Sequence, residues 1–151
     1  MKILIATDGS KFSESAVEKV CQMIKPSGTI EVEIVSAYEM PIMAVGAPYE
    51  IPVGYNPTLE KELKQQTADS VSNAEKKLRE CFSGSEIKVS TKVLCGVPKQ
   101  VIVEEAEEWG ADLIVVGSHG YGFWERMFLG SVSNAIVHHA PCSVLVVRKA
   151  E

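Results

Sequence analysis

Short apolar runs alternate along this chain with longer stretches in which apolar residues recur every three or four positions. Residues 2–7 open it with Ile3-Leu4-Ile5-Ala6, a run without polar interruption that reads as a strand covered on both faces. Gly9-Ser10 then turns into a helix with Ala16, Val17, Val20, Cys21 and Ile24 on one side, and Pro26-Ser27-Gly28 stops it. A second strand follows at residues 29–37, carried by β-branched Ile30, Val32, Ile34 and Val35. The longest predicted helix covers residues 57–82, with Asn56 as N-cap and Pro57 at its first position. Its apolar stripe of Leu59, Leu63, Ala74 and Leu78 is broken in the middle by Thr67 and Ser70.

Residues 87–94 make a third strand, and Cys95-Gly96-Val97-Pro98 turns into a helix bearing Val101, Ile102, Ala106 and Trp109, ended by Gly110. Asp112-Leu113-Ile114-Val115-Val116 is the fourth strand. Ser131 reads as the N-cap of a last helix reaching about His139, and Ser143-Val144-Leu145-Val146-Val147 is the fifth strand. The order βαβαβαβαβ predicts an α/β fold: a five-stranded parallel sheet, order 3-2-1-4-5, with right-handed crossovers and helices on both faces. Such sheets bind ligands beyond the carboxyl ends of their strands, where the strand order reverses. Strands one and four flank that point, so Asp8 and Gly117 face one crevice.

Composition narrows the picture. With 151 residues, 46% of them hydrophobic, the chain suits one core, and a single domain over residues 1–151 is expected. A net charge of −5 supplies no general attraction for nucleic acid or an anionic membrane. No apolar run approaches the roughly 20 residues that span a bilayer, and the opening run meets Asp8 too soon for a signal sequence. Cys21, Cys81, Cys95 and Cys142 lack the spacing of a redox or zinc motif, so reduced, mostly buried thiols in the cytoplasm are the expectation.

Candidate chemistry concentrates after the fourth strand. Gly117-Ser118-His119-Gly120 is followed nine residues on by Gly130-Ser131, which opens a helix. Glycines at a strand's end let backbone N–H groups approach an anion closely, and the unpaired N–H groups of a helix's first turn attract negative charge. The pattern is neither G-x-G-x-x-G nor G-x-x-x-x-G-K-[ST], so neither of those phosphate sites is present.

These residues resemble the universal stress protein family, in its single-domain, ATP-binding type, over essentially the whole chain. The likeness rests on Ala6-Thr7-Asp8, on Gly96-Val97-Pro98, and on the spacing Gly-x2-Gly-x9-Gly-Ser that begins at Gly117. It implies a stress-response protein that binds ATP, with Mg2+ or Mn2+, in a Rossmann-like fold. It also implies a homodimer through the last strand, Val144, Leu145, Val146 and Val147, whose apolar edge invites pairing on its own account. The implied adenosine contacts are Ala6, Thr7, Asp8, Ala37 and Val116. The implied phosphate contacts are Gly117, Gly120, Gly130, Ser131, Val132 and Ser133.

Several residues keep two readings. Asp8 contacts the ligand or a metal, or ends its strand by accepting from local N–H groups. Ser131 and Ser133 donate to phosphate or cap their helix. His119 touches phosphate or is an ordinary loop histidine, while His138 and His139 sit where a helix C-terminus favours positive charge. Arg126, among Phe123, Trp124, Met127 and Phe128, is the cation best placed to reach phosphates. Residues 39–56 hold Pro41, Pro48 and Pro52 among apolar side chains, as a lid or contact surface would. No P-loop lysine or evident water-activating residue appears, so a binding protein is favoured over a slow ATPase or self-phosphorylating enzyme, with a nucleotide-free interaction protein as a third reading.

Overall fold

The computed structural model describes residues 1–25, 29–40, 56–119 and 129–148. The elements run β1 (Lys2–Ala6), α1 (Lys11–Met23), β2 (Ile30–Tyr38), α2 (Pro57–Cys81), β3 (Ile87–Cys95), α3 (Pro98–Trp109), β4 (Leu113–Gly117), α4 (Ser131–His139) and β5 (Ser143–Val147). All pairings are parallel, in the order β3-β2-β1-β4-β5. The chain steps outward from β1 to β3, then returns to place β4 on the other side of β1. The predicted reversal therefore lies between β1 and β4, where Ala6 pairs with Val116.

The uninterrupted apolar run of β1 follows from its central place. Ile3 and Ile5 enter one core with Ala16, Val17 and Val20 of α1 and Val71, Ala74 and Leu78 of α2. Leu4 and Ala6 enter the other with Ile102 and Ala106 of α3 and Ile136 of α4. Successive side chains point to opposite faces, so both faces of β1 meet helices and both take apolar side chains.

Three expectations change. The stripe of α2 runs through Thr67, Val71, Ala74 and Leu78, with Leu59 and Leu63 only half-buried. Thr67 is tolerated inside because its hydroxyl donates to the Leu63 carbonyl at 2.7 Å, leaving no bare donor. Gly130, not Ser131, is the N-cap of α4: its backbone is extended (φ −61°, ψ 159°), and the helix begins at Ser131. Third, Cys21 and Cys81 form a disulfide, their Cα atoms 5.8 Å apart and 60 residues apart in sequence. Adjacent packing of α1 and α2 creates that proximity, which linear spacing does not reveal. Of the other two, Cys95 is exposed and Cys142 partly buried, so the thiols are not mostly buried.

Candidate functional site

A cavity of about 360 Å³ opens at the carboxyl ends of β1 and β4. Ala6, Thr7 and Asp8 reach it from β1, Ala37 from β2, Val116 and Gly117 from β4, and Gly130, Ser131, Val132 and Ser133 from the start of α4. Every implied contact residue that the structure describes thus lines one cavity. Gly120 and Arg126, the neighbouring aromatics Phe123, Trp124, Met127 and Phe128, the stop at Pro26-Ser27-Gly28, and residues 41–55 of the apolar loop lie outside the described residues.

The β1 side is held by hydroxyls. Ser13 Oγ accepts from Thr7 Oγ1 at 3.1 Å and from the Asp8 N–H at 3.4 Å, and donates to the Ser10 carbonyl at 2.9 Å. Ser10 caps α1, its side chain accepting from the Ser13 N–H at 3.3 Å. The Ser10 N–H donates to Asp8 Oδ1 at 3.0 Å. One Asp8 carboxylate oxygen thus accepts from local backbone, and the residue also lines the cavity.

The glycine at the end of β4 has a packing reason. A Cβ on Gly117 would lie 2.7 Å from the backbone C and O of Phe12 and 2.9 Å from the Ser13 nitrogen. Main chain cannot swing aside as a side-chain tip can. Gly117→Ala is expected to cost about 2 kcal/mol, typical of overpacking, and to lower Tm by roughly 4–8 °C. Thermal unfolding followed by circular dichroism checks this, and an unchanged Tm would refute the close approach.

Across the cavity, the Ser118 carbonyl ties β4 to α4. It accepts from the Gly130 N–H at 2.8 Å and from Ser133 Oγ at 2.9 Å. The Ser133 hydroxyl also lies 3.0 Å from the Gly130 carbonyl, so its single hydrogen is directed at backbone. The first helical bond of α4 runs from the Asn134 N–H to the Gly130 carbonyl at 2.9 Å. The N–H groups of Ser131, Val132 and Ser133 consequently have no partner within the helix, and their dipoles favour an anion. Among the described residues, no lysine or arginine lines the cavity.

His119 also faces the cavity, its Nδ1 3.1 Å from Ser118 Oγ and its ring 5.3 Å from that of Phe12. At the end of β2, the Tyr38 phenol is pushed up to about 12 by its hydrogen bond with Cys95, then by burial and by the charges of Cys95 and Glu60. Ser13, Pro98 and Ile102 line the cavity without being among the contacts expected from sequence. Ser13 was signalled by the spacing Ser10-x-x-Ser13 at a helix start. Pro98 and Ile102 were signalled by the four-residue spacing that puts both on one face of α3.

A doubly wound parallel sheet with a cleft at its switch point defines the nucleotide-binding class of α/β folds. A family profile described as "Universal stress protein family" matches residues 1–148, and the chain belongs to that family. It is 35% identical over 149 residues to universal stress protein MJ0531 of Methanocaldococcus jannaschii, covering 98% of this chain and 82% of that one. Among solved structures, the protein MJ0577 superposes with a TM-score of 0.77 at 24% identity, covering 99% of this chain and 96% of the other. A universal stress protein in complex with cAMP gives 0.66 at 21% identity, covering 99% and 98%. A family member from Arabidopsis thaliana with AMP bound gives 0.66 at 19%, covering 99% and 92%.

Proposed function

We propose that this chain is a single-domain regulatory protein that binds ATP in the cavity between β1 and β4. The observation that carries the reading is the convergence of Thr7 and Asp8 with the N–H groups at the start of α4, which have no partner within the helix, around one cleft. The first pair offers hydrogen-bonding groups for a sugar or base edge, and the second offers donors for phosphate oxygens. Two structural relatives with AMP or cAMP bound support an adenine nucleotide.

The lining fits such a ligand. A Cβ on Gly130 would lie 3.3 Å from the His119 Cα and 3.4 Å from the Ser118 oxygen, so glycine keeps this edge open. Among the described residues, no group of three or more histidine, cysteine or acidic side chains stands ready to hold a metal. Mg2+ or Mn2+ would accordingly be carried chiefly by the phosphates, with Asp8 the one carboxylate in the described lining, and would neutralise their charge.

The functional unit in this reading is a cytoplasmic homodimer joined through β5, whose outer edge has no strand beyond it among the described residues. No helix among those residues is long and apolar enough to cross a membrane. Nucleic acid is not a partner in this reading. Asp8 and His119 are the titratable side chains of the described lining, which keeps a slow hydrolase as the second reading. An Asp8→Ala chain is expected to bind ATP about tenfold more weakly, the loss of one hydrogen bond to a charged group. Filter binding measures this, and unchanged affinity would remove Asp8 from the site. Steady ADP release that vanishes in this variant would favour the hydrolase.

A further inference from the structure

Two acidic side chains and one lysine are packed together between α3 and the sheet. Glu33 lies within the apolar run of β2 and is 7% exposed; Glu105, on the inner side of α3, is 6% exposed. Lys92 of β3 places Nζ 2.5 Å from Glu105 Oε2. Among the described residues Glu33 Oε2 has no hydrogen-bond partner, although Glu105, Lys92 and Ser90 all face its carboxyl group.

The surrounding charges do not correct the imbalance. Lys2 of β1 donates to the Trp109 carbonyl at 2.8 Å, and Lys88 of β3 pairs with Glu31 of β2 at 3.7 Å. Glu108 of α3 adds a further negative charge facing Lys92. With both buried carboxyls ionised, one ammonium on a half-exposed side chain would answer two buried carboxylates, and an uncompensated buried charge is strongly unfavourable. A proton removes that charge and supplies the donor that the orphaned oxygen lacks.

We propose that Glu33 keeps its proton above the pH range in which an ordinary glutamate loses it, and that this proton, directed at Glu105, clamps α3 to the sheet. Loss of the proton as pH rises sets two carboxylates against each other across the contact between α3 and β2. Pro98 and Ile102, further toward the start of α3, form part of the cavity wall, so the clamp bears on the wall's footing. The clamp stands whether or not the cavity takes a nucleotide.

Burial first, and then the neighbouring Glu105, push the Glu33 carboxyl above its ordinary value of 4.5. Its stabilising contribution is therefore full below about 4.5 and is lost as pH rises through the higher folded value. Lys92 moves the same way, pushed up by its hydrogen bond to Glu105, and stays charged across this range.

The test uses the full, ligand-free chain. In carbon-13 NMR, the Glu33 carboxyl resonance, assigned by its disappearance in Glu33→Gln, is expected to titrate at a higher pH than the exposed glutamates of the same chain. In urea unfolding between about pH 5 and 9, the folded-to-unfolded ratio of the native chain should fall relative to Glu33→Gln by up to roughly tenfold per pH unit through the titration. A Glu33 resonance that ionises together with the exposed glutamates would overturn the proposal, as would unfolding profiles of the two chains that run parallel at every pH.

Discussion

A Gly130→Val chain is expected to bind ATP at least about a hundredfold more weakly while remaining folded. The valine Cβ would meet the His119 Cα at 3.3 Å and the Ser118 oxygen at 3.4 Å, both main-chain atoms. Its branches add bulk beside the N–H groups of Ser131, Val132 and Ser133, where phosphate is proposed to sit. Losing two hydrogen bonds to a charged group at about 1.5 kcal/mol each gives roughly that hundredfold. Titration calorimetry reads the affinity, and circular dichroism confirms the fold. Normal ATP binding by this variant would move the phosphates elsewhere.

The second large effect concerns the cross-link. The Cys21–Cys81 bond closes a loop spanning 60 residues of sequence separation, which includes β2 and the connection to α2. Constraining a loop of that length restricts the unfolded chain by about 4 kcal/mol. Reduction is therefore expected to lower Tm by roughly 10 °C. Val17 and Val20 of α1 still share a core with Val71 and Leu78 of α2, so the reduced chain stays folded. Denaturing thiol titration should find only Cys95 and Cys142 reactive before reduction. Scans with and without dithiothreitol then measure the shift, with Cys21→Ser as the chain that should not respond. An oxidised chain whose Tm does not move on reduction would refute the stabilising role.

The sheet was legible because its information is local. β1 and β4 are read from apolar runs, and α3 from Pro98 at its start and Gly110 beyond its end; the alternation of elements then leaves few topologies. The glycine signature was legible because its spacing lies within one connection. Ser13 was harder to see: the spacing Ser10-x-x-Ser13 marks a helix start, whereas the bonds of Ser13 to Thr7 and Asp8 depend on the chain folding back over the first turn of α1. Glu33 was passed over inside a strand read from its β-branched residues, because Lys92 and Glu105 come from other elements. The disulfide was hidden for the same reason, and the N-cap of α4 moved by one residue because boundaries depend on backbone angles rather than on residue type.

Calorimetric titration of the native chain with ATP, ADP, AMP and cAMP, with and without Mg2+, tests the central claim most directly. Saturable binding of ATP, with one nucleotide per chain and an affinity lowered by Gly130→Val, is the predicted result. No detectable binding of any of the four, with or without the metal, would contradict it.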